Sequence, residues 1–166
     1  MKIGVAIPCY YGHIERLYDL LDSIEKQTIL PTKVVISISS TSKFNLNKTY
    51  SFPLSVIITV DKQNAAKNRN IAALNLLDMD YITFIDADDI MHPQRIEFLL
   101  KGFQTYDSDI ILHNYLMTVS GRNTSGLSGR VYTRRTAKTR HLCIERLKKW
   151  RIIIIMTPHL WKKWRI

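Results

Sequence analysis

The sequence predicts an α/β protein with three layers, in which helices cover both faces of a mostly parallel, doubly wound sheet. Two observations support this prediction. Apolar segments of strand length alternate with longer segments in which apolar residues recur at helical spacing. One strand segment, residues 81–85, is aromatic or β-branched throughout and stops at an acidic stretch, as expected for a central strand buried on both faces.

Five strands are predicted in chain order. The first, residues 2–7, is expected to stop at Pro8, because proline has no backbone N–H to donate. The second ends in a stretch rich in serine and threonine. The second to fifth strands are predicted at residues 34–39, 54–60, 81–85 and 109–113.

Three helices are predicted between these strands, so that strand, helix and strand form right-handed parallel units. The first helix covers residues 14–24, where apolar side chains recur at a helical period. The second opens at Asn64, and the third starts at Pro93. The buried stripe of the second helix is predicted to consist of Ile71, Leu74 and Leu77.

Three carboxylates follow the fourth strand within four residues. If this stretch is extended, Asp86 and Asp88 point the same way and Asp89 points elsewhere. Hard oxygen ligands of this kind suit Mg²⁺ or Mn²⁺, and ligands of open α/β sheets bind at the carboxyl ends of the strands. The alternative is a solvated, Asp-rich turn that leads into the helix at Pro93.

The charge distribution divides the chain after Gly121. The protein has 166 residues, enough for one domain with its own core, and a net charge of +10. Residues 122–166 hold more than half of the 24 Lys and Arg residues but only one of the 14 acids, Glu145. We therefore predict a globular domain over residues 1–121 and a basic tail over residues 122–166.

The two cysteines and the first residues indicate the compartment. Cys9 and Cys143 are far apart, which indicates neither a disulfide framework nor a zinc site. The N-terminal apolar run is too short for a signal peptide or a membrane span. We expect a cytoplasmic protein, with peripheral attachment to a membrane as the alternative.

Three blocks, in this order, resemble the GT-A fold nucleotide-sugar glycosyltransferases of family 2. VAIPCYYGHIERLYDLLDSI is similar to the family's opening strand, Pro-x-Tyr turn and first helix. QNAAKNRNIAA is similar to its Ala-Arg-Asn-x-Gly helix start. FIDADDIMHPQRIE is similar to its Asp-x-Asp motif with the extra Asp and the following Pro.

The resemblance implies an enzyme that transfers a sugar from a nucleotide-diphosphate donor to a hydroxyl of a glycan, lipid or protein acceptor. Asp86 and Asp88 would bind Mn²⁺ or Mg²⁺, which offsets charge on the departing diphosphate. The Pro8 and Tyr10 turn would border the nucleobase, although a plain loop at a strand end explains it equally well. The implied contacts to the nucleotide sugar are Pro8, Tyr10, Ser39, Asn64, Lys67, Asn68, Asp86, Ala87 and Asp88.

Some positions depart from the family pattern. The second strand ends at Ser39 and Ser40, where the family usually has an acid that reads the base. Lys67 stands where Arg is usual and Asn70 where Gly is usual. A lysine keeps the charge of arginine without its fork geometry, and a helix N-terminus still favours phosphate. A solvated helix start explains Lys67 and Arg69 almost as well as phosphate binding does.

Two further residues are candidates for chemistry. An inverting transferase needs a base for the acceptor hydroxyl, and the only acid after the Asp-x-Asp half is Glu145, although an ion-paired surface role is the common one for such a residue. His113 ends the predicted fifth strand and could be a metal ligand or a hydrogen-bonded structural histidine.

The basic tail has three interpretations. Its Arg, Lys and Trp residues could follow a nucleic acid, or residues 146–166 could lie on an anionic membrane with Trp150, Trp161 and Trp164 at the interface. The third interpretation, which we favour, is a truncated or frame-altered end that lacks the acceptor half.

The alternatives to a transferase are a basic module that binds nucleic acid or a membrane surface, and a nucleotidyltransferase of related fold. The nucleotidyltransferase is disfavoured by the missing Gly-rich loop, and nucleic acid is not an expected partner.

Overall fold

A seven-stranded sheet organises the computed structural model, which describes residues 1–106, 110–113, 117–119, 122–124, 130–132 and 153–156. A 3₁₀ turn at Tyr11–His13 leads into the first helix, and the helices are α1 (Ile14–Glu25), α2 (Ala65–Leu74) and α3 (Arg95–Thr105). The strands are β1 (Ile3–Tyr10), β2 (Lys33–Ser39), β3 (Leu54–Thr59), β4 (Tyr81–Phe84), β5 (Ile110–His113), β6 (Met117–Val119), β7 (Arg122–Thr124), β8 (Arg130–Tyr132) and β9 (Ile153–Met156).

The order of strands in the main sheet is β3-β2-β1-β4-β9-β5-β8, and β6 and β7 form a separate hairpin. The pairs β3-β2, β2-β1 and β1-β4 are parallel, whereas β9 is antiparallel to both β4 and β5. Since β5 therefore runs in the same direction as β4, five strands share one direction and the sheet is mostly parallel. This confirms the predicted α/β class and its doubly wound sheet.

The two faces of the sheet are covered by different helices. On one face, α1 and α3 bury their apolar stripes in a cluster with the large side chains of β1 and β2, among them Ile7 and Ile36. On the other face, Ala72 and Ala73 of α2 pack with Ala6, Val35 and other residues of a second cluster. Burial on both faces explains why the strands read as continuous apolar runs.

The predicted buried stripe of α2 is wrong in part: Leu77, which follows the helix, is partly buried against the second cluster, whereas Leu74 is not. Leu74 is exposed, and the buried residues of this helix are Asn68, Ala72 and Ala73. The helix itself puts small side chains, Ala72 and Ala73, in the second cluster, whereas the large buried side chain of this segment, Leu76, lies just after the helix. Periodicity of large apolar residues therefore does not find this interface.

The predicted end of the first strand at Pro8 is also wrong, since β1 continues to Tyr10 and pairs with β2 over this length. The ladder between β1 and β4 covers only residues 3–6 of β1, so that Pro8 has a neighbouring strand on one side alone. A proline is tolerated where its missing N–H faces no partner strand.

Part of the basic tail belongs to the main sheet. Strands β8 and β9 lie after Gly121, and β9 sits between β4 and β5. The sheet thus continues across the predicted boundary between residues 1–121 and 122–166, which stays a prediction as a division into domains. Among the described helices, none combines the length and the apolar character that crossing a bilayer requires.

Candidate functional site

The carboxyl ends of β1, β2 and β4 meet at one edge of the sheet, where the N-terminus of α2 also lies. This follows from the parallel pairing of the three strands and from the hydrogen bonds that Asn68 of α2 makes to the ends of β1 and β2. Ligands of open α/β sheets bind at such an edge. The predicted site residues in β1, β2, α2 and the acidic stretch after β4 are brought together here.

The acidic stretch after β4 is a turn and not an extended segment. β4 ends at Phe84, and the backbone N–H of Asp89 donates to the carbonyl oxygen of Asp86 at 3.1 Å. The expectation that Asp86 and Asp88 share a direction because they are two residues apart in a strand is therefore wrong in its geometry. The strand stops two residues before the acids, where Ala87 is buried and Asp88 is exposed.

Asp86 is paired with an arginine of α2. Nη2 of Arg69 lies 2.6 Å from Oδ1 and 2.8 Å from Oδ2 of Asp86, and both side chains are about one-third exposed, at 36% and 38%. A charge-assisted contact of this length is among the stronger hydrogen bonds in proteins. It places a cation directly beside the first acid of the motif.

Asp88 is held much more loosely. Its carboxylate lies 3.9 Å from Nη1 of Arg16 in α1, whose side chain is largely exposed. Behind it, the thiol of Cys9 is buried, and burial, assisted by the negative charge of Asp88, raises the pKa of Cys9 to about 12. Exposed ion pairs contribute little and rearrange readily, so the Asp88 carboxylate is the freer of the two.

Polar groups of α1 and of the residues just after it fix the segment that follows the acids. Oγ of Ser23 accepts from the N–H of Met91 at 2.9 Å, and Oε1 of Gln27 accepts from the N–H of Ile96 at 3.1 Å. Nε2 of Gln27 also donates to the carbonyl oxygen of His92 at 2.7 Å. Because Ser23 and Gln27 are buried, these bonds hold the connection between the acids and α3 against α1.

Asn68 joins three elements at the centre of the site. Its Nδ2 donates to the carbonyl oxygen of Cys9 and to Oγ of Ser39, both at 3.1 Å, and its Oδ1 accepts from Oγ of Ser37 at 2.9 Å. The residue is 3% exposed. Both donors of its amide are therefore used inside the protein, and Nδ2 has none left for a nucleotide sugar.

The N-terminus of α2 is capped by Asn64. Its Oδ1 accepts from the backbone N–H of Lys67 at 2.8 Å, which satisfies one of the donors that a helix start leaves free. The side chain of Lys67 is exposed. Asn64 thus orders the helix start, while Lys67 presents an exposed cation at the same edge.

Aromatic residues lie at the end of β1. Pro8 is buried within the strand, whereas Tyr10 is exposed, with its ring edge-on to His13 and Nζ of Lys62 5.6 Å from its centroid. Ser39 ends β2 and is buried, and the next residue, Ser40, has a φ of 67°, in the left-handed region that few residues other than glycine adopt. Strained residues of this kind cluster at functional sites.

The side chains of two predicted site residues, Glu145 and His113, lie outside the described part of the structure. Glu145 lies outside the described residues. The backbone of His113 ends β5 opposite Ile153 of β9, and its side chain lies outside the described part. Within the described residues, no group of three or more His, Cys, Asp and Glu side chains is arranged to hold a metal ion.

Arg69, Ser23 and Gln27 were not predicted as site residues. Arg69 could have been found from its place in the first half of α2, because a cation there faces the edge at which the acids end β4. Ser23 lies in an ordinary amphipathic helix and Gln27 lies just after its end, and nothing in their spacing separates them from surface positions.

Comparison with known sequences identifies the family of the chain. The profile of the family described as "Glycosyl transferase family 2" matches residues 4–159. "Glycosyltransferase GlyA" of Streptococcus pneumoniae is 32% identical over 119 residues, which is 69% of this chain and 17% of that protein. An "Uncharacterized glycosyltransferase" of Haemophilus influenzae is 31% identical over 100 residues, covering 60% of this chain and 33% of its own length.

Solved structures show the same fold. The crystal structure of S. aureus TarS 1-349 in complex with UDP-GlcNAc has a TM-score of 0.62 at 23% identity and covers 76% of this chain and 37% of that chain. The complex of the same protein with UDP has a TM-score of 0.59 at 22% identity. The chain thus spans well under half the length of these relatives. Because the family profile covers nearly the whole sequence, the chain belongs to glycosyltransferase family 2.

Proposed function

We propose that this chain supplies the donor side of a metal-dependent glycosyltransferase, which moves a sugar from a nucleoside diphosphate to a hydroxyl acceptor. The observation that carries the proposal is the convergence of Asp86, Asp88 and Arg69 at the carboxyl edge of the sheet, next to the N-terminus of α2. Carboxylates that hold a cation and basic groups that face phosphate are the two parts that a sugar-nucleotide diphosphate needs.

The donor set fits Mn²⁺ or Mg²⁺. Such ions are commonly held by one or two carboxylates together with substrate phosphates and water, so a cluster of three protein ligands is not required. Asp88 would be the main ligand, because its contact to Arg16 is long and exposed, and Asp86 and His113 are the further candidates. The ion would supply positive charge to the diphosphate as the bond to the sugar breaks.

Basic groups of α2 would hold the diphosphate together with the metal. Arg69 places its guanidinium at Asp86, and Lys67 is exposed in the first turn of the helix. A helix N-terminus carries a partial positive charge, which adds to that of the side chains. Asn64 and Asn68 would act by fixing this helix end, through its cap and through the buried bonds to β1 and β2.

The Lys67→Ala variant tests the phosphate contact. We expect it to weaken binding of UDP by about threefold to tenfold, as the loss of one exposed charge contact does. Binding of uridine should stay unchanged, because the nucleoside lacks the diphosphate. Titration calorimetry with the two ligands measures both. Lys2→Ala is the matched loss of charge, because Lys2 is exposed just before β1, at the opposite edge of the sheet. Equal losses for UDP and uridine in Lys67→Ala would show that Lys67 does not contact phosphate.

The nucleobase would lie at the end of β1. Tyr10 offers an exposed ring for stacking, and its backbone pairs with buried Ser39. Buried Pro8 and the small side chain of Ala87 would border the donor. TarS binds UDP and UDP-GlcNAc, which makes uridine the first base to test. The missing acid at the end of β2 implies that other contacts read the base.

The acceptor side of the site is proposed from the sequence. Glu145 is the candidate base for a glycan, lipid or protein hydroxyl, and the segment 146–166 is the candidate for contact with a membrane surface. Residues 153–156 of this segment form β9, whose backbone pairs with β4 and β5. Any membrane contact would therefore involve the residues on either side of β9.

Turnover measurements test the proposed function. With UDP-GlcNAc and Mn²⁺ we expect hydrolysis, because the described residues supply a donor site. We expect it to be slow, because it proceeds without a positioned general base, which is typically worth about 10² to 10⁴ in rate. Release of UDP and free sugar can be followed by NMR, with Asp88→Asn as the inactive control. Transfer to a defined acceptor at about 1 per second or faster would show that the acceptor side is complete. Glu145→Gln should then abolish turnover and leave donor affinity intact.

A further inference from the structure

Arg95 is the only charged residue among those that are buried in the described part of the chain. It begins α3 and is 6% exposed. Its Nη2 donates to Oγ1 of Thr83 at 2.8 Å and to the carbonyl oxygen of Phe84 at 3.0 Å. Its Nε is buried and has no hydrogen-bond partner. The guanidinium thus sits below the end of β4, directly beneath the start of the acidic turn.

This placement is unfavourable for stability alone. Burial lowers the pKa of the Arg95 guanidinium to about 10, and the negative charge of Asp89 opposes this effect. The group is still a cation at neutral pH, so the protein bears the cost of desolvating it. A cation in the first turn of a helix also faces the positive end of the helix dipole. Since well-packed apolar residues often replace buried charges without loss of stability, the position of Arg95 indicates a role at the site.

The charges around the acidic turn show what that role is. Three carboxylates within four residues repel one another, and two of them lie beside an arginine. Asp86 pairs with Arg69 of α2, Asp88 lies near Arg16 of α1, and Asp89 lies within the electrostatic reach of Arg95 of α3. Arg16 is exposed and can leave when a metal ion binds, whereas Arg95 is buried and must stay.

We propose that Arg95 is a positioning residue for metal and donor binding: it anchors the end of β4 and attracts Asp89, so that the turn presents the Asp88 carboxylate outward. This role rests on the proposed function, since it is a role in the same site. Arg95 does not touch the nucleotide or the metal. Replacing Arg95 is therefore expected to reduce the gain in nucleotide affinity that the metal provides, and not the affinity for the nucleoside.

The test compares Arg95→Met with Phe103→Leu in the full chain. Phe103 lies on the same helix and stacks on Tyr81 at the start of β4, away from the acids, so its replacement loosens α3 without changing the charge under the turn. Calorimetry gives the Kd for UDP with Mn²⁺ and with EDTA, and thermal unfolding gives the stability. In Arg95→Met we expect the gain in affinity from Mn²⁺ to fall by about tenfold, while the Kd in EDTA is unchanged.

Phe103→Leu should unfold at a lower temperature and keep the full gain from Mn²⁺. Arg95→Lys should restore part of the gain, because it returns the charge without the fork geometry. A full gain in Arg95→Met, or an equal loss in both variants, would overturn the positioning role. If Arg95→Met does not fold, Thr83→Val replaces it: a partial loss of the gain supports the role and an unchanged gain overturns it. A wild-type chain whose UDP affinity is indifferent to Mn²⁺ would overturn the proposed function as well.

Discussion

Replacement of Asp88 by asparagine is expected to abolish the contribution of Mn²⁺ to UDP binding, with a loss of about tenfold or more in affinity. Asparagine keeps the size of the side chain and removes the charge that a hard cation requires. The fold should stay intact, because Asp88 is exposed and its contact to Arg16 is 3.9 Å long. Calorimetric titration of UDP with Mn²⁺, and circular dichroism for the fold, measure the two effects.

Asp78→Asn is the matched control for this variant. Asp78 is an exposed acid that precedes β4, so the substitution makes the same change in net charge at the opposite edge of the sheet. It should leave the effect of Mn²⁺ unchanged. An Asp88→Asn variant that keeps the wild-type response to Mn²⁺ would remove Asp88 from the metal site.

Replacement of Asn68 by leucine is expected to lower the free energy of unfolding by about 3 kcal/mol or more, because buried polar groups without partners cost about 1–3 kcal/mol each. The substitution leaves the hydroxyls of Ser37 and Ser39 and the carbonyl oxygen of Cys9 without the amide that they contact. Leucine has nearly the same size, so the loss reports on hydrogen bonds more than on volume. Urea denaturation measures it.

Asn75→Leu provides the comparison within the same helix. Asn75 is the exposed C-cap of α2, and its Nδ2 donates to the carbonyl oxygen of Ile71 at 3.0 Å. Its replacement should cost no more than about 1 kcal/mol, as for an exposed hydrogen bond. Similar losses at positions 68 and 75 would contradict the role of Asn68 as the buried link between β1, β2 and α2.

Local patterns predicted most of the elements. The strand at residues 81–84 was found because a strand buried on both faces is continuously apolar, and α1 was found because one of its faces is apolar at a helical period. The carboxyl edge of the sheet followed from the parallel order of these elements. Asp86 and Asp88 were predicted at this edge for the same reason, since the acids closely follow the central strand, and their role as metal ligands stays a prediction.

Contacts between distant segments could not be predicted in this way. The pair of Arg69 and Asp86 depends on how α2 lies against β4, and the hydrogen bonds of Asn68 depend on its depth beneath two strands. Strand β9 enters the sheet between β4 and β5 from a basic segment whose composition indicated a surface or a tail. A run of four apolar residues is compatible with a strand in a sheet, with a membrane-surface segment and with a truncated end. Only the strands that pair with it distinguish these three interpretations.

The most direct measurement is a calorimetric titration of the unaltered chain with UDP, first in EDTA and then with Mn²⁺. A metal-dependent donor site at the turn after β4 predicts binding that Mn²⁺ strengthens by about tenfold or more, with a much smaller gain for uridine. Binding of UDP that is equally strong in EDTA, or no binding of UDP, ADP, GDP or CDP with Mn²⁺, would contradict it.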